Sequence, residues 1–146
     1  MKNTHFFLTT NPETVSKTFP EAFIGILDGK KTTSLKDFYE EIAVTMNFPE
    51  DAGNNLDALD ELLNDLDWIE QEKVIILITN SADWLQKERS TDKILTIIDI
   101  LDATAEDWKW MDEDEEVHKK ELKIIFDDSA RIRTLLEEQE IRFKII

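Results

Sequence analysis

The sequence predicts one α/β domain built on a mainly parallel sheet. Three observations carry this expectation. Short apolar runs recur along the chain, helix-period patterns lie between them, and one run, Val74-Ile75-Ile76-Leu77-Ile78-Thr79, shows no polar alternation. A strand without alternation is buried on both faces, as in a parallel sheet covered by helices.

The first run, His5–Thr9, is short and is expected as an edge strand. Ala22–Leu27 is the second, and Gly25 and Gly29 flank the turn after it, where LDGKK reads as a tight reversal. Ser34 then opens the clearest helix, with Asp37 three residues on as a weak capping box. Leu35, Phe38, Tyr39, Ile42, Ala43 and Met46 mark one helical face, and Pro49 and Gly53 end the element. A second helix is expected from about Asn55 to Leu66, with Leu56, Leu59, Leu62, Leu63 and Leu66 inward. After the strand Val74–Thr79, a third helix over Asp92–Ala105 is apolar nearly all round. The segment Asp107–Lys120, DWKWMDEDEEVHKK, lacks a helix-period apolar face and reads as a long charged excursion. Leu122–Phe126, a helix over Ser129–Gln139 and the run Ile141–Ile146 complete the pattern. Trp68 and Trp84 flank the VIILIT run and read as packing residues; Trp108 and Trp110 read as sheet cover, with an exposed aromatic anchor as the other possibility. No repeat or linker divides the chain, so residues 1–146 read as one domain.

Charge narrows the function classes. The 33 acids outnumber 17 Lys and Arg, giving a formal net charge of −16. Such a chain repels nucleic acid and anionic membrane and attracts basic surfaces. The acid is regional: Asp37 to Glu72 holds twelve Asp or Glu and no Lys, Arg or His. Asp99 to Glu116 holds nine more against Lys109 alone, leaving the remainder slightly positive. A general need for solubility covers that distribution poorly. With no cysteine, disulfides, thiol catalysis and cysteine-based zinc sites are excluded. Near the N-terminus, Phe6-Phe7-Leu8 is too short for a signal core, and no apolar run approaches the roughly 20 residues that span a bilayer. The expectation is a soluble cytoplasmic protein.

Catalytic and metal readings find little support. Asp112–Glu116 lacks the glycine turn and the spaced terminal glutamate of a calcium loop, so it reads as a solvated acidic segment. Asp57, Asp60 and Glu61 share a helix face, but a magnesium site there would have no phosphate-gripping base nearby. His5 and His118, the two histidines, adjoin no nucleophile with an orienting acid. Three glycines and no GxGxxG, GxxxxGK[ST] or GxSxG leave no phosphate-cradling or nucleophile motif. The chain reads as a non-enzyme with no cofactor and no metal.

The run Pro49-Glu50-Asp51-Ala52-Gly53-Asn54-Asn55-Leu56-Asp57-Ala58-Leu59 resembles the P-x-x-x-G-x-N-L-D-A-L signature of the barstar family, intracellular inhibitors of a secreted ribonuclease. The likeness extends back through AFIGILDGKKTTSLKDFYEEIAVTMNFP and covers about 22–127. It implies a barstar-like sheet core, with the N-terminal strand region 1–21 and the helix–strand unit 128–146 as additions. It also implies a role for the second helix and the loop before it, which in that family plug a nuclease active site. Asp57 maps onto the aspartate of the signature, and Glu61 onto the family's central phosphate-mimicking acid. This chain has Asp51 where the family carries an aromatic residue, Asp60 where it carries tryptophan, and glutamate rather than aspartate at 61. A further family contact acid falls near Ile100, beside Asp99 and Asp102. These differences keep the negative charge and alter the shape. Electrostatically steered association is established for the family's own complex and is carried over with the resemblance.

From the residues alone, burying the leucines leaves Asp57, Asp60, Glu61, Asn64 and Asp65 outward. Together with Asn54 and Asp51 they form the candidate partner-binding set. The expected partner is a basic protein, in the first reading a nuclease-type toxin, bound without direct contact to nucleic acid or membrane. The second reading is a non-inhibitory interaction module using the tryptophan-containing excursion 107–120.

Overall fold

The computed structural model describes residues 4–50, 53–111 and 119–146. Among the described residues five strands form one sheet: β1 (Phe6–Thr9), β2 (Phe23–Asp28), β3 (Lys73–Thr79), β4 (Glu121–Asp127) and β5 (Phe143–Ile145). Their order is β2-β3-β4-β1-β5, and every pairing is parallel. Gly25 pairs with Ile76, Ile76 with Ile124, Phe6 with Ile124 and Phe6 with Phe143, which fixes the register across the sheet. The first strand is therefore interior, not an edge as its short apolar run suggests. Five α-helices among the described residues join the strands: α1 (Val15–Thr18), α2 (Leu35–Thr45), α3 (Leu56–Leu63), α4 (Thr91–Trp110) and α5 (Ala130–Glu138).

The strand period of two sorts side chains onto two unequal faces. Phe6, Leu8, Leu27, Val74, Ile76, Ile78, Leu122, Ile124 and Phe126 meet the larger helices in one large core. On the opposite face Ile75, Leu77 and Ile125 are covered by Val15 and the half-buried Phe19. Thus β3 is buried on both sides, as its unbroken apolar run requires. That cover comes from a segment the helical pattern did not reveal, because Pro12 begins a single 3-10 turn leading into one turn of α-helix.

Two glycines mark close approaches. A Cβ on Gly29 would lie 2.1 Å from the Asn80 carbonyl oxygen, and one on Gly25 would lie 2.6 Å from Met46 Sδ. The reversal after β2 closes with Lys31 N–H donating to Asp28 O at 2.9 Å. At the strand C-termini, Asp127 accepts the Asn80 and Ser81 amides at 2.8 and 2.6 Å. Arg131 reaches the Ser81 and Trp84 carbonyls, so these two carbonyls of the β3–α4 loop are satisfied within the fold.

Two further expectations are corrected. The third helix runs on to Trp110, so part of the supposed excursion is helical. Trp108 is buried in it, extending the stripe formed by Leu101 and Ala105. Trp110 faces outward at 70% exposed, with its Nε1 donating to Glu106 Oε1 at 2.7 Å, and does not cover the sheet. Residues 112–118, including the acidic run and His118, lie outside the described residues. No described helix is long and apolar enough to cross a membrane.

Candidate partner-binding face on α3

Helix α3 begins at Asn55, whose backbone is extended and whose side chain accepts the Ala58 amide at 2.8 Å. An asparagine there satisfies one of the free N–H groups of the first turn. Leu59 and Leu63 enter the core. The far end is held from two sides. Asn64 Nδ2 donates to Asp60 O at 2.8 Å and to Asp60 Oδ1 at 3.1 Å, while Trp108 Nε1 donates to Leu63 O at 2.7 Å. The turn that follows is fixed to α2, since Trp68 Nε1 donates to Met46 O at 2.9 Å and Trp68 packs edge-on against Phe48.

At about 100° per residue, Leu56, Asp60, Asp57 and Glu61 fall on one arc of roughly 140°, and Ala58, Leu62, Leu59 and Leu63 on the other. Exposure follows that division. Asp57, Asp60 and Glu61 are exposed, whereas Leu59 and Leu63 are buried and Ala58 and Leu62 half-buried. Asp57 and Glu61 are one turn apart, with about 6 Å of rise between them. Among the described residues, Asp57, Asp60, Glu61 and Asp65 have no Lys, Arg or His within ion-pair distance. Mutual repulsion along such a face costs a few tenths of a kcal/mol per adverse pair. A cation arriving from outside relieves it.

The remaining sequence-derived candidates are placed differently. Asn54 is exposed just before the cap. The helix ends at Leu63, not Leu66, so Asn64 is its half-buried C-cap and Asp65 lies exposed in the turn beyond. Leu66 is buried, but in a left-handed conformation with φ of 50°. Asp51 lies outside the described residues. Leu56, expected inward, is 36% exposed. It sits at the boundary of the apolar arc in the first turn and adds an oily contact beside the acids. Asp99 is directed toward α5, accepting Gln139 Nε2 at 2.6 Å. Sequence reasoning missed Trp108 as the anchor of α3, although its spacing from Leu101 and Ala105 continues the α4 stripe.

Among the described residues no group of three or more His, Asp or Glu side chains converges as a metal site. The buried charges are structural. Lys120 Nζ donates to the Ile69 and Gln71 carbonyls, and burial lowers its pKa below the usual lysine value.

Comparison with known proteins bears on this geometry. Solved structures of similar fold include the Aeropyrum pernix ORC2 protein (TM-score 0.57, 12% identity, covering 99% of this chain and 41% of that one). Cdc6p from Pyrobaculum aerophilum is also similar (TM-score 0.54, 15% identity, 97% of this chain and 39% of that one). At such identity the likeness is one of fold, and this chain spans about four-tenths of each. A search of curated proteins gave no match. The family model described as "Barstar (barnase inhibitor)" matches residues 23–126, a span that runs from β2 to β4 and includes all of α3. With the signature stretch, its capped helix and the central strands all inside the matched span, the chain belongs to the barstar family.

Proposed function

We propose that this chain is an inhibitor or immunity protein that binds the basic active site of a nuclease-type toxin in the cytoplasm. The observation that carries the reading is the exposed arc of α3. Asp57, Asp60 and Glu61 stand on a helix capped at both ends, with none of the protein's bases paired to them among the described residues. Family membership supports a ribonuclease-binding role, since the family takes its description from barnase inhibition.

The mechanism is occupancy, not chemistry. A nuclease active site gathers cations to hold phosphate, and carboxylates on a rigid helix present comparable charge without a scissile bond. Glu61 is central and Asp57 lies one turn before it. Asp60 replaces a bulky aromatic residue of the family pattern, so the face meets its target with more charge and less ring area. Leu56 beside it supplies apolar contact. Because α3 is tethered through Asn64, Trp108 and Trp68, little ordering remains to be done on binding. The second reading, an interaction module centred on 107–120, has Trp110 as its exposed aromatic residue, since Trp108 is buried.

The test is an inhibition titration with a basic ribonuclease of the barnase type, following RNA cleavage. Wild type is expected to abolish cleavage at stoichiometric ratio, and Glu61→Lys to need at least about tenfold more protein, equivalent to about 1.4 kcal/mol. Full nuclease activity in a large excess of wild type removes the inhibitor reading for that nuclease class.

A further inference from the structure

The chain carries a second charged surface of opposite sign. A cavity of about 500 Å³ opens at the N-terminal ends of β1 and β4, against the C-terminal part of α4. Among the described residues five lysines line it (Lys109, Lys119, Lys120, Lys123 and Lys144), with His5, which is hydrogen-bonded to Glu106, beside them and Glu121 as the one lining carboxylate. In a protein with 33 acids and 17 Lys and Arg, so many lysines around one concavity call for a physical cause.

The bland causes account for part of the set. Lys120 holds the Ile69 and Gln71 carbonyls. Lys109 is in the last turn of α4, where a cation meets the helix dipole, and its Nζ rests 4.6 Å from the Trp110 ring centre. Lys123 lies 3.5 Å from Glu121 and over the Phe7 and Phe19 rings. Lys119 and Lys144 are left. Among the described residues neither has a carboxylate within ion-pair distance. Like charges gathered around one concavity repel, and an anion held in it relieves that repulsion. The half-buried ring of Phe7 is the cavity's accessible apolar lining, since Ala105 and Leu122 are buried in the core.

We propose that this cavity binds a small molecule carrying a diphosphate or two separate phosphates. Lysine ammonium groups act as point charges that take phosphate oxygens from several directions. The volume lies in the range of small-molecule sites, about 300–1,000 Å³, and exceeds what the phosphates alone fill. The Phe7 ring meets the remainder of the ligand. The site lies at the strand N-termini and draws on none of the α3 residues, so it stands independently of the inhibitor reading.

The experiment titrates the full chain with inorganic pyrophosphate, ADP and, as controls, adenosine and a penta-glutamate peptide, by calorimetry at low salt. Amide chemical shifts are followed in parallel. Pyrophosphate or ADP is expected to bind and to shift Phe7, Leu122 and Lys144, with adenosine silent. The double variant Lys119→Gln/Lys144→Gln removes no side-chain hydrogen bond or ion pair among the described residues, and it is expected to weaken binding at least about tenfold with an unchanged melting temperature. Absence of binding by both phosphate probes overturns the proposal. So do shifts confined to other surfaces, or penta-glutamate binding as tightly as the phosphates.

Discussion

Replacing Trp108 by phenylalanine removes one hydrogen bond and part of a ring from the joint between α3 and α4. Trp108 is 2% exposed, and its Nε1 donates to the Leu63 carbonyl at 2.7 Å inside the core. Leaving that carbonyl unpaired costs about 1–3 kcal/mol. The smaller ring leaves a residual void worth about 1 kcal/mol more, for a total of about 2–4 kcal/mol. Against a typical domain stability of about 5–15 kcal/mol this is a large fraction. At about 2–4 °C per kcal/mol for a chain of this size, melting should fall by about 5–15 °C. Urea denaturation measures the loss, and hydrogen exchange should show the α3 amides opening first. Two controls sharpen the result. Trp110→Phe, at a site 70% exposed, should change stability by no more than about 0.5 kcal/mol. Trp84 Nε1 has no hydrogen-bond partner among the described residues, so Trp84→Phe loses packing alone and should cost less than Trp108→Phe. Equal urea midpoints for Trp108→Phe and Trp110→Phe would mean that the bond to Leu63 contributes nothing to stability.

Other consequences are equally measurable. Asn55→Ala removes the cap on Ala58 N–H and should lower stability by about 0.5–2 kcal/mol in thermal melts, while Asn55→Asp should be close to neutral. Gly29→Ala drives a methyl against the backbone at Asn80, where neither neighbour is a flexible side chain. Its cost should reach the upper end of the about 1–3 kcal/mol seen for overpacking, read from the same melts. Acid should unfold the protein partly through Glu106 and Asp128. Hydrogen bonds from His5 and Trp110 hold Glu106 below 4.5, and Arg133 holds Asp128 below 3.8. Both folded values lie below the unfolded ones, so their stabilisation is complete above those pH values and is lost as pH falls through the folded values. Glu106→Gln and Asp128→Asn should each flatten the acid limb of a stability–pH curve, and an unchanged limb contradicts this assignment.

Much of the fold could be read from local pattern, because the two periods separate cleanly here. The unbroken run at Val74–Thr79 gave a doubly buried strand, and the stripe Phe38, Ile42, Met46 gave α2. Strand order could not be read in this way. Nothing within His5–Thr9 tells that β1 lies between β4 and β5, since the pairing partners are more than a hundred residues away. The end of α4 was hidden by composition: Asp107 and Lys109 look like loop residues, but they occupy the solvent side of a helix whose inner side continues with Trp108. On α3 the acids that face outward were legible from the leucine spacing. Its end was not, because Asn64 terminates the helix through a side-chain bond to Asp60 while the leucine pattern continues to the buried Leu66. Leu56 shows the same limit at the other end, where an apolar residue in phase with the core lies in a turn the core does not reach.

Whether the carboxylates of α3 meet a cationic cleft, as proposed, is read from the association rate constant with a basic barnase-type ribonuclease. Wild type and Glu61→Lys are compared by stopped flow across a range of ionic strength. Association of Glu61→Lys is expected to be about tenfold or more slower at low salt. The gap should close toward 1 M salt, where the screening length falls to about 3 Å. Indistinguishable rate constants at low salt would contradict that contact.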